Sequence, residues 1–214
     1  MRSKDKLKPI ASEISSILYA AYPEAACSLD YKEPLQLLLA TIMAAQCTDE
    51  RVNMVTKHLF KKYTSVYDYA NVDPEELEQD IKSTGFYRNK AKNIIGCCRK
   101  LIADFGGKVP DNMEDLLSLP GVGRKTANVV LGNVYGVPGI IVDTHCKRLS
   151  NRLGLTDKDD PEKIENDLME ILPRGVWTGF SNCLVYHGRA VCIARKPKCE
   201  ICQIARYCDF FNNN

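Results

Sequence analysis

With 214 residues, of which 45% are hydrophobic and 26% charged, the chain has the size and composition of a globular protein with one large or two modest domains. No apolar run approaches the roughly 18 residues of a membrane span, and the polar sequence SEISS interrupts the N-terminal segment, so we expect a cytoplasmic protein without a signal peptide. The net charge is only +2, yet six basic residues and no acid lie between Asp80 and Asp104. Such clustering is typical either of solvated helix faces or of a surface that binds nucleic acid.

Apolar residues recur every three to four positions along most of the chain, and the alternation typical of strands is almost absent. The fold class predicted from this pattern is all-α, with about ten helices bounded by Gly, Pro or Asn. The predicted helical segments are 34–46, 48–63, 74–83, 87–105, 112–119, 124–136, 144–155, 161–172 and 175–192.

The segment LPGVG, residues 119–123, separates two predicted helices. Its glycines permit positive φ, as the turn of a helical hairpin often requires. The same turn would present backbone N–H groups, at the start of the next helix, to a phosphate of any DNA sequence. A plain helical hairpin and a phosphate-binding turn both remain open at this point.

Lys125 and Asp143 each occupy the predicted start of a helix. Asp143 is expected to be an N-cap, a position that aspartate also takes for structural reasons alone. A lysine is unusual there, because the helix dipole disfavours a cation by about 0.3–1 kcal/mol. That effect favours the neutral amine that a nucleophile requires, but desolvation or a cationic neighbour such as Arg124 must add to it.

Four of the ten cysteines are crowded near the C-terminus, in the spacing Cys192-x6-Cys199-x2-Cys202-x5-Cys208. Four thiolates this close in sequence are typical of a bound zinc ion or a [4Fe–4S] cluster, and their chemistry alone does not separate the two. The six other cysteines do not indicate a secreted disulfide framework.

The segments LPGVGRKTANVVL and VDTH, together with the cysteine spacing, resemble the endonuclease III family of helix-hairpin-helix, iron–sulfur DNA glycosylases. MAAQCTDERVN and STGFYRNKAKNI extend the resemblance over nearly the whole chain. The resemblance implies two helical domains that flank a DNA-binding cleft. One is a six-helix barrel at residues 27–137, and the other combines residues 1–26 with 138–214 and holds a [4Fe–4S] cluster on the four cysteines.

The same resemblance implies a catalytic lysine and aspartate. Lys125 would attack C1′ of a damaged nucleoside flipped out of the duplex, while Asp143, from the other wall of the cleft, stabilises the oxocarbenium ion. A Schiff base and β-elimination would then break the strand 3′ to the lesion. The implied activity is therefore that of a bifunctional DNA glycosylase and AP lyase that removes oxidised pyrimidines, acting as a monomer on double-stranded DNA in the nucleoid.

The residues that the resemblance places on DNA have distinct roles. Gln46 would fill the gap left by the flipped base, and Phe86 would act as a wedge, although a core aromatic is the alternative. The other predicted DNA contacts are the hairpin residues Leu119, Gly121 and Gly123, then His145, and the basic loop residues Arg195, Lys196 and Lys198.

Two other functions stay open on the sequence. A monofunctional mismatch glycosylase lacks a lysine at the position of Lys125, and a strand-nicking assay on abasic DNA would separate it. A non-catalytic iron–sulfur DNA-binding module would have no use for the Lys125 and Asp143 pair, and base release under single-turnover conditions would separate that one.

Overall fold

The structure, a computed structural model, describes residues 3–213, and within that range it contains helices and turns but no strand. The all-α prediction is therefore confirmed. None of the described helices is both long and apolar enough to cross a membrane.

The α-helices are α1 (Lys4–Ala21), α2 (Pro34–Met43), α3 (Asp49–Lys62), α4 (Val66–Asn71), α5 (Pro74–Asp80), α6 (Tyr87–Phe105), α7 (Met113–Leu117), α8 (Arg124–Val134), α9 (Thr144–Arg152), α10 (Pro161–Ile171), α11 (Trp177–Ala190) and α12 (Asp209–Asn212).

Two compact units make up the chain, one formed by residues 27–136 and the other by residues 1–26 with 137–214. In the first unit α6 is the central helix and packs against α2, α4 and α5. The core side chains of α2, Leu37, Leu38 and Leu39, are all fully buried, which explains why this helix is apolar around its whole circumference. The α7–α8 pair follows, with the LPGVG turn between the two helices.

In the second unit α11 packs against both α1 and α9, and α10 packs against α1. α1 contributes Leu7, Ala11, Ile14 and Leu18 to the core, at the three- and four-residue spacing of one helix face. Phe180 of α11 is fully buried in the same core. The cysteine-rich segment after α11 adds Ile204 and Cys208 to it, so this segment is part of the folded unit.

Side-chain caps define six of the twelve α-helix starts among the described residues. Thr48, Asn112 and Asp160 each accept a hydrogen bond from a backbone N–H in the first turn of their helix. Ser65 and Asp68 form a reciprocal capping box at α4. The starts of α6 and α8 are among those without a side-chain cap, and these two lie in segments predicted to contact DNA.

Candidate active site and cysteine loop

The α7–α8 turn requires glycine at only one of its two glycine positions. Gly121 has a φ of +77°, and a Cβ built there would lie 2.7 Å from the Cβ of Asn93 on α6. Gly123, the N-cap of α8, has an extended backbone with a φ of −101°, and its Cβ would meet no atom within 4 Å. Gly121 therefore shapes the turn and holds it close to α6, while Gly123 leaves an open surface at the helix start.

Lys125 lies in the first turn of α8, as the sequence predicted, and its side chain is exposed. Cys27 belongs to the same unit, and its thiol is close enough to the Asp49 carboxylate and to the Lys125 amine to feel the charge of each. Burial raises the pKa of the Cys27 thiol, and the charge of Asp49 raises it further while that of Lys125 lowers it. Asp49 accepts a hydrogen bond of 2.5 Å from the Ser28 hydroxyl. Cys27 is a neighbour of Lys125 that the sequence did not predict, because residues 27 and 125 are distant in the chain.

Asp143 is the N-cap of α9, and its Oδ1 accepts a hydrogen bond of 2.7 Å from the backbone N–H of Cys146. Its second carboxylate oxygen stays available for other chemistry at the helix start. His145 is half-buried, and its Nδ1 lies 3.1 Å from the guanidinium of Arg148. Arg148 also donates to the carbonyl oxygens of Gly188 and Cys192, each at 3.1 Å, so it connects α9 to the end of α11 and to the beginning of the cysteine loop, which is defined as residues 192–208.

Three residues other than glycine have a positive φ in the described part of the chain, and all three are predicted DNA contacts. Gln46 has a φ of 54°, Phe86 of 48° and Lys196 of 54°. All three side chains are exposed, and Phe86 retains 64% of its accessible surface, so it is not a core aromatic. A left-handed backbone costs an L-residue about 1–2 kcal/mol, and such strain concentrates at functional sites.

The remaining predicted DNA contacts differ in how exposed their side chains are. Arg195 is exposed in the loop between Cys192 and Cys199, and Gly121 and Gly123 are exposed in the turn. Leu119 differs, because its side chain is only 3% exposed and lies in the core, which leaves only its backbone as a possible contact. Lys198 is exposed, but its Nζ donates to the carbonyl oxygen of Ala190 at 3.1 Å.

The four clustered cysteines line one open pocket. Apolar residues form much of the rest of its wall, including Val191, Pro197, Phe210 and Phe211, and the cationic residues Arg152 and Lys198 also line it. Cys199, Cys202 and Cys192 are half-buried and Cys208 is buried, so their sulfur atoms are shielded from solvent without being sealed off. A wall with four thiols, mostly apolar side chains and two cations fits an iron–sulfur cluster, which is ligated by cysteine thiolates.

Two side chains that the sequence analysis did not identify contact these cysteines. Arg152, at the end of α9, donates to the Cys192 Sγ at 3.2 Å and to the carbonyl oxygens of Ile193 and Ala194 at 2.9 and 2.8 Å. His187 of α11 places its Nε2 3.4 Å from the Cys202 Sγ. Neither has a signal in the local sequence, since the paired residues are 40 and 15 positions apart in the chain.

Two family models match the chain. The model of the HhH-GPD superfamily base excision DNA repair protein covers residues 39–174, which include the α7–α8 turn, Lys125 and Asp143. The model of the iron–sulfur binding domain of endonuclease III covers residues 192–208, the segment that begins and ends with the outer two of the four clustered cysteines. The second match decides between zinc and [4Fe–4S] in favour of the cluster.

Individual relatives agree with the family models. Endonuclease III of Synechocystis is 56% identical over 209 residues, which are 97% of this chain and 95% of that protein. A solved structure of a non-covalent endonuclease III–DNA complex superposes with a TM-score of 0.92 at 42% identity, covering 100% of this chain and 98% of the other. A trapped endonuclease III–DNA covalent intermediate gives the same TM-score and identity, and covers 100% and 99%. By these similarities the chain belongs to the endonuclease III family, and its cofactor is a [4Fe–4S] cluster.

Proposed function

We propose that this protein is a bifunctional DNA glycosylase and AP lyase of base excision repair, and that its substrates are oxidised pyrimidines in double-stranded DNA. Membership of the family supports the proposed reaction class. A trapped covalent intermediate with DNA is known for a relative that is 42% identical over the whole chain. The single structural observation that supports the DNA-contacting set is the left-handed backbone of Gln46, Phe86 and Lys196. Three exposed, strained residues outside the core are costly to the fold, so their retention favours a role in binding.

Lys125 is the proposed nucleophile. Its amine lies in the first turn of α8, at the positive end of the helix dipole, which disfavours the protonated form. The nitrogen bonds to C1′ as the glycosidic bond breaks, and the departing base takes the bonding electron pair. The C1′–O4′ bond of this adduct then breaks, and O4′ keeps the electron pair and takes up the proton that the nitrogen releases, which leaves an iminium between the Lys125 nitrogen and C1′. The iminium makes the C2′ proton acidic, and loss of that proton expels the 3′ phosphate by β-elimination.

Asp143 is the proposed electrostatic partner of this step. Its carboxylate is held at the N-terminus of α9 by the Cys146 amide, in a position that favours a negative charge. A fixed anion stabilises the positive charge that develops on the sugar as the base departs, at no cost of reorganisation. Because the amide occupies only one oxygen, Asp143 can serve both as cap and as counter-charge.

Extrusion of the target nucleotide costs a few kcal/mol, and the enzyme recovers it by contacts with the opened duplex. Gln46 and Phe86 are exposed, and each has a left-handed backbone, which supports their proposed roles as gap-filling residue and wedge. The α7–α8 turn and the basic loop would contact phosphates only, and so would bind duplex of any sequence.

Cys192, Cys199, Cys202 and Cys208 are the proposed ligands of the [4Fe–4S] cluster, which fixes the loop between the first two and takes no part in base release. Arg195 and Lys196 on that loop then reach the DNA backbone as a rigid basic element. We also propose that the protein acts as a monomer in the nucleoid, and sedimentation with and without duplex DNA tests the first part of that statement.

Single-turnover assays on a panel of duplexes test the substrate class. We expect base release followed by strand cleavage with thymine glycol and other oxidised pyrimidines, cleavage alone at an abasic site, and neither with undamaged DNA. A G·T mismatch duplex tests the monofunctional alternative. If the protein released thymine from this duplex but did not cleave abasic DNA, the monofunctional reading would replace the bifunctional proposal. Tight binding of every duplex without any base release would favour a non-catalytic module.

A further inference from the structure

A buried histidine next to the cysteine loop has no role in base release. His187 is 3% exposed and lies on α11, five positions before Cys192. Its Nε2 is 3.4 Å from the Cys202 Sγ, and its Nδ1 is 3.0 Å from the hydroxyl of Tyr22. Both ring nitrogens are therefore engaged by side chains from other segments.

The chemistry of a cluster ligand fixes the direction of these two hydrogen bonds. A cysteine bound to iron is a thiolate and has no proton to donate, so the bond to Cys202 requires a hydrogen on Nε2 of His187. In the neutral imidazole Nδ1 is then an acceptor, and the Tyr22 hydroxyl supplies its proton. Tyr22 thereby selects the tautomer that points a donor at the cluster.

The surrounding contacts hold this arrangement in place. Tyr22 is the C-cap of α1, and its ring meets the His187 ring edge-on at a centroid distance of 5.8 Å and an angle of 70°. The backbone carbonyl of His187 accepts hydrogen bonds from the amides of Val191 and Cys192, both at 2.9 Å. His187 thus contacts the loop twice, by its side chain at Cys202 and by its backbone at Cys192.

We propose that His187, oriented by Tyr22, is a positioning residue that donates a hydrogen bond to the Cys202 thiolate and thereby tunes and retains the [4Fe–4S] cluster. The proposal rests on the ligand role proposed for Cys202. A donor to a ligand sulfur withdraws electron density from the cluster, so it stabilises the reduced state and raises the reduction potential. It also slows cluster loss, because it keeps the thiolate in the orientation that binds iron.

The test compares anaerobically purified holoprotein with four variants. His187→Phe removes the donor, His187→Gln restores an N–H at similar reach, and Tyr22→Phe removes only the hydroxyl that orients the imidazole. Tyr186→Phe is the matched control, because its ring neighbours Tyr22 at 6.2 Å and it lies next to His187 in sequence. The readouts are the reduction potential, from a titration followed by EPR, and the rate at which visible absorption is lost in air.

We expect a more negative potential and several-fold faster cluster loss in His187→Phe, near-complete recovery in His187→Gln, a smaller change of the same sign in Tyr22→Phe, and none in Tyr186→Phe. Wild-type potential in His187→Phe, or equal changes in the two tyrosine variants, would overturn the proposal. If His187→Phe binds no iron, the comparison of Tyr22→Phe with Tyr186→Phe decides: a change in potential in the first variant alone supports the proposal, and equal changes in both overturn it.

Cys202→Ser separates this proposal from the ligand assignment beneath it. Loss or alteration of the cluster spectrum in that variant supports the ligand role, whatever the histidine variants show. An unchanged spectrum would remove the ligand role and the hydrogen-bond proposal together. Strand cleavage at abasic sites, measured on the same samples, reports separately on the enzymatic function.

Discussion

The starts of α8 and α9 are built in opposite ways, although each has a predicted catalytic residue. α8 begins at Gly123 with no side-chain cap and has a lysine, not an acid, in its first turn. α9 begins at Asp143, whose carboxylate accepts the Cys146 amide. The first arrangement gives up a few tenths of a kcal/mol of capping, since glycine is an acceptable N-cap, and it places a cation where the dipole disfavours it. The second uses the residue that a stable helix start prefers.

The difference shows how to separate a functional residue from a structural one at a helix terminus. Nothing in the local stability of α8 explains Lys125, so its position favours a chemical role. Asp143 has a structural explanation, and its charge must be tested apart from its cap. Variants that keep one property and remove the other are therefore the informative ones.

The largest expected effect follows from removing the amine. Borohydride should trap the wild-type protein covalently on DNA with thymine glycol or an abasic site, and Lys125→Ala and Lys125→Gln should abolish both trapping and base release. Glutamine keeps most of the length but forms no Schiff base. Gel analysis of the trapped adduct, with cluster absorption and helical content as integrity checks, measures this.

Lys57→Ala is the matched control for the amine, because Lys57 is also an exposed helical lysine of the same unit and has no proposed role. We expect it to be trapped like the wild type. Undiminished turnover in Lys125→Ala would assign the chemistry to another amine and remove the argument from the uncapped helix start.

The second prediction divides the two properties of Asp143. Asp143→Asn keeps an oxygen for the Cys146 amide but removes the charge, so base release should slow by about 10²–10³-fold with duplex affinity retained. Asp143→Ala should slow it similarly and also lower the free energy of unfolding by about 1 kcal/mol, because the cap is removed. Single-turnover rates and thermal unfolding distinguish the two. Equal rates in wild type and Asp143→Asn would leave the residue as a cap only.

Local signals in the sequence were sufficient for most helices and for these two starts. Three of the described α-helices were not predicted, and two of them have sequence signals: α1 has a regular apolar stripe behind a basic N-terminus, and α4 begins with the capping box of Ser65 and Asp68. The third, α12, is only four residues long. The predicted helix 34–46 ends at Met43, because Gln46 adopts a left-handed conformation that no residue type at that position announces.

Proximity between distant parts of the chain could not be predicted. Arg152 and His187 contact cysteine sulfurs across 40 and 15 positions, and Cys27 lies near Lys125 across most of the first unit. Leu119 shows the converse: it lies in the turn predicted to bind DNA, yet its side chain is buried in the core. The family resemblance supplied the site residues, but it did not supply the side chains that support them.

The third prediction concerns the α7–α8 turn. Gly121→Ala should destabilise the protein by about 1–2 kcal/mol or more, because its left-handed backbone disfavours a side chain and the Cβ overlaps Asn93. Gly123→Ala should cost at most about 1 kcal/mol, since its backbone is extended and the Cβ enters open space. Denaturant unfolding measures this difference.

Although Gly123→Ala should have little effect on stability, we expect it to weaken DNA binding. The Cβ of Gly123→Ala would point outward at the helix start where the proposed phosphate lies, so undamaged duplex should bind several-fold more weakly although the fold is intact. Wild-type affinity in this variant, measured by fluorescence anisotropy, would contradict phosphate binding at the uncapped start of α8.

The smallest expected effect distinguishes the backbone amides of that helix start from the charged side chains of the cysteine loop. Binding of undamaged duplex should weaken with salt, and the slope in the logarithms should fall by about 0.9 for each phosphate that a variant no longer neutralises. Lys196→Gly removes a charge and suits the left-handed backbone, so it should reduce the slope by about one unit without loss of stability. Lys198→Ala should reduce the slope less, because its amine is already bonded to the Ala190 carbonyl. Gly123→Ala should lower affinity at every salt concentration with the slope unchanged, since backbone amides displace few counterions.

If the slope of affinity against salt changed equally in all three variants, the turn and the loop would bind DNA in the same way.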